Sequence, residues 1–215
     1  NERIEKFYDY FMVDEIQDLG GHDFNLIQAI TPTTIDSLFV GDFYQHTFDT
    51  SNDGNVNNGL YNDYNKYKKK WSAIGVTIDE TTLSNSYRCS PTICQLVTQQ
   101  LHIQISSHRQ DNTKIILIDN QDDADTLFVD NEKIKLFYRE ANKYSCYAEN
   151  WGKSKGLDKF QDVCIVLNQT TLKGYNDNTL HQLNPSTRNK LYVAYTRAKR
   201  DIYCIPHVFL DKYKQ

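Results

Sequence analysis

The chain lacks several features that would each have fixed its class. No apolar run approaches the roughly 18 residues of a helical membrane span, so no contact with a membrane is expected. The first residues, NERIEKFYDYF, show neither a basic start followed by an apolar stretch nor a small-residue cleavage site, so no secretory leader is visible. The cysteines number 5, an odd count, and Cys89, Cys94, Cys146, Cys164 and Cys204 never form C-x-x-C. That argues against a disulfide framework and a zinc knuckle, and for a reducing cytoplasm. Positive net charge is missing too: at −4 the chain exerts no global pull on a polyanion, and Lys66, Lys68, Lys69 and Lys70 form one local basic cluster. There is no internal repeat and no initiating Met, and the latter reads as a fragment of a longer chain. What remains is ordinary for a globular protein: 215 residues, 39% hydrophobic and 24% charged, enough for one large domain or two small ones.

The pattern of apolar runs is that of an α/β protein. Residues 7–18 read as a strand, FYDYFMVD, running into carboxylates; Phe24, Leu26, Ile27 and Ile30 then suit a short helix, and Leu38-Phe39-Val40 a second buried strand ending at Gly41-Asp42. Two apolar runs that each end in Asp, with a helix between, predict neighbouring parallel strands with function at their carboxyl ends. Residues 49–65, rich in Asn, Asp and Gly, read as a loop. Past residue 80 the pattern restarts. Ser90-Pro91 opens a predicted helix, SPTICQLVTQQLH, with Ser90 as N-cap and Pro91 at its first position. Ile115–Ile118, Ile134–Tyr138, Val163–Leu167 and Ile202–Ile205 are predicted strands, and Thr187 to Ala198 a helix between the last two. The boundary is expected near 75–82, giving parts 1–80 and 81–215.

Chemistry concentrates at the ends of these elements. In FMVDEIQD, Asp14 at the end of a buried strand is placed to hold Mg²⁺, and Glu15 beside it to deprotonate an attacking water, the division of labour of a nucleotide hydrolase. The alternative is an acidic turn in which Asp18 caps the next segment. Gln45, in GDFYQ, would stand near Asp14 if the strands are neighbours, with an amide able to sense a terminal phosphate. Arg88 in LSNSYR and Arg197 in YVAYTRAK lie at element edges, where a guanidinium either neutralises charge on a transferred phosphoryl group or makes a surface ion pair. KYKKKW, Lys66 to Trp71, mixes cations and aromatics; a solvated helix face is the preferred reading there over contact with phosphates.

In order, DEIQD, GDFYQ, LSNSYR, SKGLDKF and YVAYTRAK resemble motifs II to VI of the UvrD/Rep-type superfamily 1 DNA helicases, from about residue 9 to 206. The resemblance implies a RecA-like P-loop NTPase architecture: the carboxyl-terminal part of one lobe, then a nearly complete second lobe, with ATP in the cleft between lobes. By that likeness Asp14 binds Mg²⁺, Glu15 activates water, Gln45 contacts the γ-phosphate, and Arg88 and Arg197 act as arginine fingers. Gly156 and Asp158, in the motif V string, fall where the family contacts the nucleotide, Asp158 at its sugar. Phe48, three residues after the motif III glutamine, falls where an aromatic stacks on a base of the bound strand, an interaction worth about 1–3 kcal/mol and tolerant of any sequence. The implied function is ATP-dependent movement on single-stranded DNA with unwinding of duplex. The alternative is a non-catalytic module that binds nucleic acid or docks on a partner.

The departures are as informative. No G-x-x-x-x-G-K-[ST] loop precedes Asp14, before which only 13 residues stand. Gly152-Lys153-Ser154 has the right ending, but Tyr147 occupies the first glycine's position, so it reads as a decoy. The chain by itself is therefore expected to bind ATP poorly and to be inactive, its parent being the ATPase. KGLDKF is one residue longer than the family's K-G-L-E-F, and Gly152 stands where many relatives carry histidine. The stretch from about 98 to 148 is far shorter than the accessory domain inserted in the best-known relatives, and SKG followed by YVAYTRA resembles, more loosely, compact second lobes of helicase-like proteins from bacterial mobile elements and phage defence. A protein partner in a repair, mobile-element or defence complex is accordingly expected.

Overall fold

The computed structural model describes residues 2–31, 34–48 and 54–215. The part of the predicted loop at 49–53 lies outside the described residues. The chain divides into two compact units, Asn1–Asp79 and Glu80–Gln215.

In the first unit, a short helix α1 (Glu2–Phe7) leads to β1 (Tyr10–Val13), which pairs in parallel with β2 (Asp36–Phe39), Val13 opposite Phe39. The strand is shorter than the 7–18 reading. Its amino end is taken by α1, where charged residues recur at helical spacing, and its carboxyl end stops at Glu15, whose φ of 51° is left-handed. Between the strands lies α2 (Gly21–Ile30), which buries Phe24 and Ile27 and leaves Leu26 exposed. Its N-cap is Gly20, so the acidic run before it does not supply the cap. Helix α3 (Tyr64–Ser72) is capped by Asp63, whose carboxylate accepts from the Lys66 backbone N–H at 3.1 Å. Tyr67 and Trp71, four residues apart and so on one face, enter a core with Phe24, Ile27, Phe43, Leu60 and Tyr61. The lysines of KYKKKW lie off that buried face, and Lys70 Nζ donates to Asn57 Oδ1 at 3.1 Å.

The second unit is built on a five-stranded, wholly parallel sheet. Its strands are β5 (Ile115–Leu117), β6 (Ile134–Phe137), β7 (Ala148–Asn150), β8 (Val163–Leu167) and β9 (Ile202–Pro206), in the order β5-β9-β8-β6-β7. The inner strands β8 and β6 are buried at every position, which is why VCIVL reads as an unbroken apolar run rather than an alternation. Lys135 in β6 is the exception, and its buried ammonium donates to the backbone carbonyls of Lys133, at 2.9 Å, and Asp130. A small parallel pair, β3 (Asn85–Ser86) and β4 (Ser106–Ser107), flanks α4 (Pro91–Leu101). The sequence reading omits α1, β3, β4 and β7, and also the helices α5 (Gln121–Val129) and α6 (Gln169–Asn176). Helix α7 (Pro185–Tyr195) ends three residues before the predicted Ala198, with Thr196 as its C-cap.

Candidate functional site

The first unit gathers Asp14, Glu15 and Gln45 at the carboxyl ends of its paired strands. The Val40 N–H donates to the Val13 carbonyl at 2.9 Å and the Ile16 N–H to the Val40 carbonyl at 3.1 Å, so the turn after β1 is sewn to the turn after β2. In the first turn the Glu15 N–H donates to Asp14 Oδ1 at 2.8 Å, and the Glu15 carboxylate accepts from the Gln17 side-chain amide. In the second, Asp42 accepts from the Tyr44 N–H and from Gln45 Nε2, both at 3.0 Å.

Gln17 joins the two turns. It is wholly buried, and while its amide nitrogen serves Glu15, its Oε1 accepts from the Asp42 N–H at 3.1 Å. Gly41 makes this approach feasible: a Cβ there would stand 2.2 Å from Gln17 Oε1 and 2.9 Å from Ile16 Cγ2. His46 completes the link, its Nδ1 lying 2.7 Å from the Gln17 backbone carbonyl. A carbonyl only accepts, so that nitrogen carries the proton. The ring of His46 stacks on Tyr61 with centroids 3.7 Å apart. Phe48, two residues on, is 55% exposed.

The second unit assembles Arg88, Asp158 and Arg197. Arg88 Nε donates to Asp158 Oδ1 at 2.7 Å and Lys199 Nζ lies 3.5 Å from the same oxygen; the Arg88 guanidinium, with help from Lys199, holds that carboxyl below its usual range. Arg197 is only 2% exposed. Its guanidinium donates to the Val193 carbonyl at 3.2 Å, and at 3.4 Å to the Leu157 carbonyl and Thr196 Oγ1. Burial first, and the neighbouring Arg88 charge second, push its pKa down to about 10. Thus Arg88 and Arg197 are close enough to repel, and Asp158 offsets that repulsion. Gly156 takes φ +78° in the turn leading to Asp158, a conformation that suits glycine. Gly152–Ser154 is a single 3₁₀ turn, and the buried Ser154 hydroxyl donates to the Trp151 carbonyl at 2.6 Å.

The sequence reading passed over Gln17, Gly41, Asp42, Cys89 and Lys199. Gln17 sits between Ile16 and Asp18, and nothing in its sequence neighbourhood marks it; only its burial and its partners do. Cys89 lies directly after Arg88, and its thiol donates to the Thr196 carbonyl at 3.7 Å, next to Arg197.

Two parallel sheets with acidic and amide groups at the strand ends of one unit, and paired arginines in the other, define a RecA-like α/β nucleoside triphosphatase fold. A profile of the viral superfamily 1 RNA helicase core domain matches residues 2–205, and the chain belongs to that family. It is similar in fold to the helicase of the arterivirus PRRSV, with a TM-score of 0.56 at 16% identity over 95% of this chain and 36% of that one. An arterivirus nonstructural protein 10 helicase in complex with DNA gives the same score and identity over 94% of this chain and 40% of the other. Another arterivirus nonstructural protein 10 structure gives 0.54 at 14% identity, over 95% and 49%. The chain thus spans between about a third and a half of these helicases. No curated protein matches it.

Proposed function

We propose that this chain carries the water-activating and the charge-neutralising parts of an ATP-dependent helicase that moves on single-stranded nucleic acid and unwinds duplex, as a UvrD/Rep-like motor. The observation that supports this most is the pair of sewn strand-end turns in Asn1–Asp79, one carrying Asp14 and Glu15 and the other Gln45, at the carboxyl ends of parallel strands. Ligands of open α/β sheets bind at such ends.

Nucleotide hydrolysis by such a core uses a divalent cation. Among the described residues no three His, Cys, Asp or Glu side chains cluster as a ligand set. A nucleotide-bound Mg²⁺ takes only one or two carboxylates, phosphate oxygens and waters filling the rest. Asp14, exposed at the strand end, fits that requirement. There the cation would supply charge neutralisation to the phosphates. Glu15 takes the proton of the attacking water, with its carboxylate held by Gln17; Gln45, tied to Asp42, reports the γ-phosphate. Arg88 and Arg197 neutralise charge developing on the transferred phosphoryl group, which is where arginine fingers have their effect. Asn1–Asp79 would be the carboxyl-terminal part of a first lobe and Glu80–Gln215 the second. Gly156 and Asp158 contact the nucleotide and Phe48 a base, in a cytoplasmic protein.

DNA is the strand implied by the motif likeness, and RNA the one in the family's description. Stacking on Phe48 and charge attraction to phosphates serve both. The test is strand-stimulated ATPase of the whole protein, run with DNA and with RNA. Glu15→Gln should lose turnover by about 10²–10⁴-fold while retaining strand affinity, and Arg88→Ala should lower kcat with strand affinity intact. Unchanged hydrolysis in Glu15→Gln removes the water-activating role. Strand binding without any turnover in the wild type favours the binding-module alternative.

A further inference from the structure

We propose that Gln17 is the positioning residue of the hydrolytic centre: it fixes the Glu15 carboxylate by tying it to the Gly41–His46 turn. The inference rests on the reading of Glu15 as the base.

A glutamine with no exposed surface must have both ends of its amide satisfied inside the protein. Gln17 does so across two different turns, donating to the Glu15 carboxylate and accepting from the Asp42 N–H at 3.1 Å. Its backbone is held as well, by the proton on His46 Nδ1 at 2.7 Å from the Gln17 carbonyl. Both ends of the amide are therefore engaged inside the protein. Three separate groups, Glu15, Asp42 and His46, converge on it.

Gly41 shows that the arrangement is specific. A Cβ there would stand 2.2 Å from the amide oxygen and 2.9 Å from Ile16 Cγ2, so any side chain would have to push the Gln17 amide out of its bonds. Glu15 adds a second sign, holding a left-handed φ of 51° that is uncommon for a residue with a long side chain. With its backbone so turned, its N–H bonds Asp14 Oδ1 at 2.8 Å while its own carboxylate is steered by Gln17. The same turn that holds Gln17 carries Gln45, which hydrogen-bonds Asp42 at 3.0 Å. A shift of that turn is thus transmitted to the base through one amide, because Asp42 binds Gln17 with its N–H and Gln45 with its carboxylate.

The experiment measures strand-stimulated ATPase of the whole protein in three variants. Gln17→Met keeps the volume and removes both amide bonds. His46→Phe keeps a ring over Tyr61 and removes the proton from the Gln17 carbonyl. Glu15→Gln is the control for the base itself. Gln17→Met is expected to lower kcat per folded molecule by about 10–100-fold, the cost of misplacing a reacting group by about an ångström, with the KM for nucleotide and the strand affinity unchanged. His46→Phe, at a partly exposed position, should show the same split with a smaller loss. A merely structural role would lower the folded fraction and leave kcat per folded molecule as in the wild type. If Glu15→Gln abolishes turnover and both other variants keep wild-type kcat per folded molecule, the positioning role is overturned. Should Glu15→Gln itself keep turnover, the base assignment falls, and the proposal with it.

Discussion

Cys89 occupies a setting in which a buried thiol gives up its proton easily. The hydrogen bond from Cys94 is the largest cause, followed in the same direction by the Ser86 hydroxyl and the charges of Arg88 and Arg197; together they outweigh burial and bring the Cys89 thiol down to about 7. Cys94, facing it, is pushed up for the same reason, since its proton is the one shared. A thiol with a folded pKa below its unfolded value of 9.0 contributes stability that grows as pH rises from about 7 towards 9.0 and is lost as pH falls through about 7; above 9.0 the raised Cys94 thiol works against it. Between those values thermal unfolding of the wild type should therefore shift upward with pH, and Cys89→Ala should reduce that slope. A slope of equal size in Cys89→Ala would assign it to another group. At this scale the sequence was legible where residue type and chemistry coincide. Asp14, Glu15, Gln45, Arg88 and Arg197 stand out because they are charged and amide groups that lie at the ends of apolar runs or at element edges. Gln17 and Cys89 do not stand out, because their importance lies in burial and in partners up to 107 residues away, such as the Thr196 carbonyl.

Helix α4 shows what the sequence does specify about an element. Ser90-Pro91 announces its start, and the Ser90 hydroxyl accepts from the Ile93 N–H at 3.3 Å and bonds Thr113 Oγ1 at 2.5 Å. Cys89 before the cap and Cys94 within the first turns stand at the N′ and N4 positions that commonly pack together at a helix start. Because Arg88 and Cys89 immediately precede this cap, the cap also anchors the arginine. Ser90→Ala should cost about 1–2 kcal/mol in urea unfolding; the loss falls at the upper end because Ser90 is fully buried and its removal also strips Thr113 of a partner. An unchanged midpoint would mean that water replaces the hydroxyl. Strand β7 shows the limit. Its three residues, Ala-Glu-Asn, carry no apolar pattern, and it exists because β6 offers an unpaired edge, Leu136 opposite Glu149 and Phe137 opposite Asn150. No local propensity could have announced it. Strand β1 was read too long for a related reason: its apolar and aromatic letters continue upstream, but the charged spacing of ERIEKF takes them into α1.

The two units differ in how completely they cover their sheets. In Glu80–Gln215 the inner strands β6 and β8 are buried at every position and β9 at all but Tyr203, so its parallel sheet is covered on both faces, as such sheets require. In Asn1–Asp79, Phe11, Val13 and Phe39 pack toward the aromatic core, while Tyr10, Met12 and Leu38 on the other face of the same strands are exposed, Met12 at 64%. A parallel pair with one bare apolar face is marginal by itself, since two strands rarely hold without a further layer. Residues 80–215 expressed alone should therefore give a cooperative urea transition and native-like near-ultraviolet dichroism. Residues 1–79 alone should bind a hydrophobic dye such as ANS and unfold over a broad range, because the exposed apolar face and aromatic core are then held by few strands. A sharp, dye-free transition from 1–79 would show that the aromatic cluster of Phe24, Phe39, Tyr67 and Trp71, with Trp71 in ring contact with the other three, suffices to fix that unit. The sequence alone does not separate these outcomes. Both sheets read as apolar runs, and only the depth of cover over each run distinguishes a strand buried on two faces from one buried on a single face.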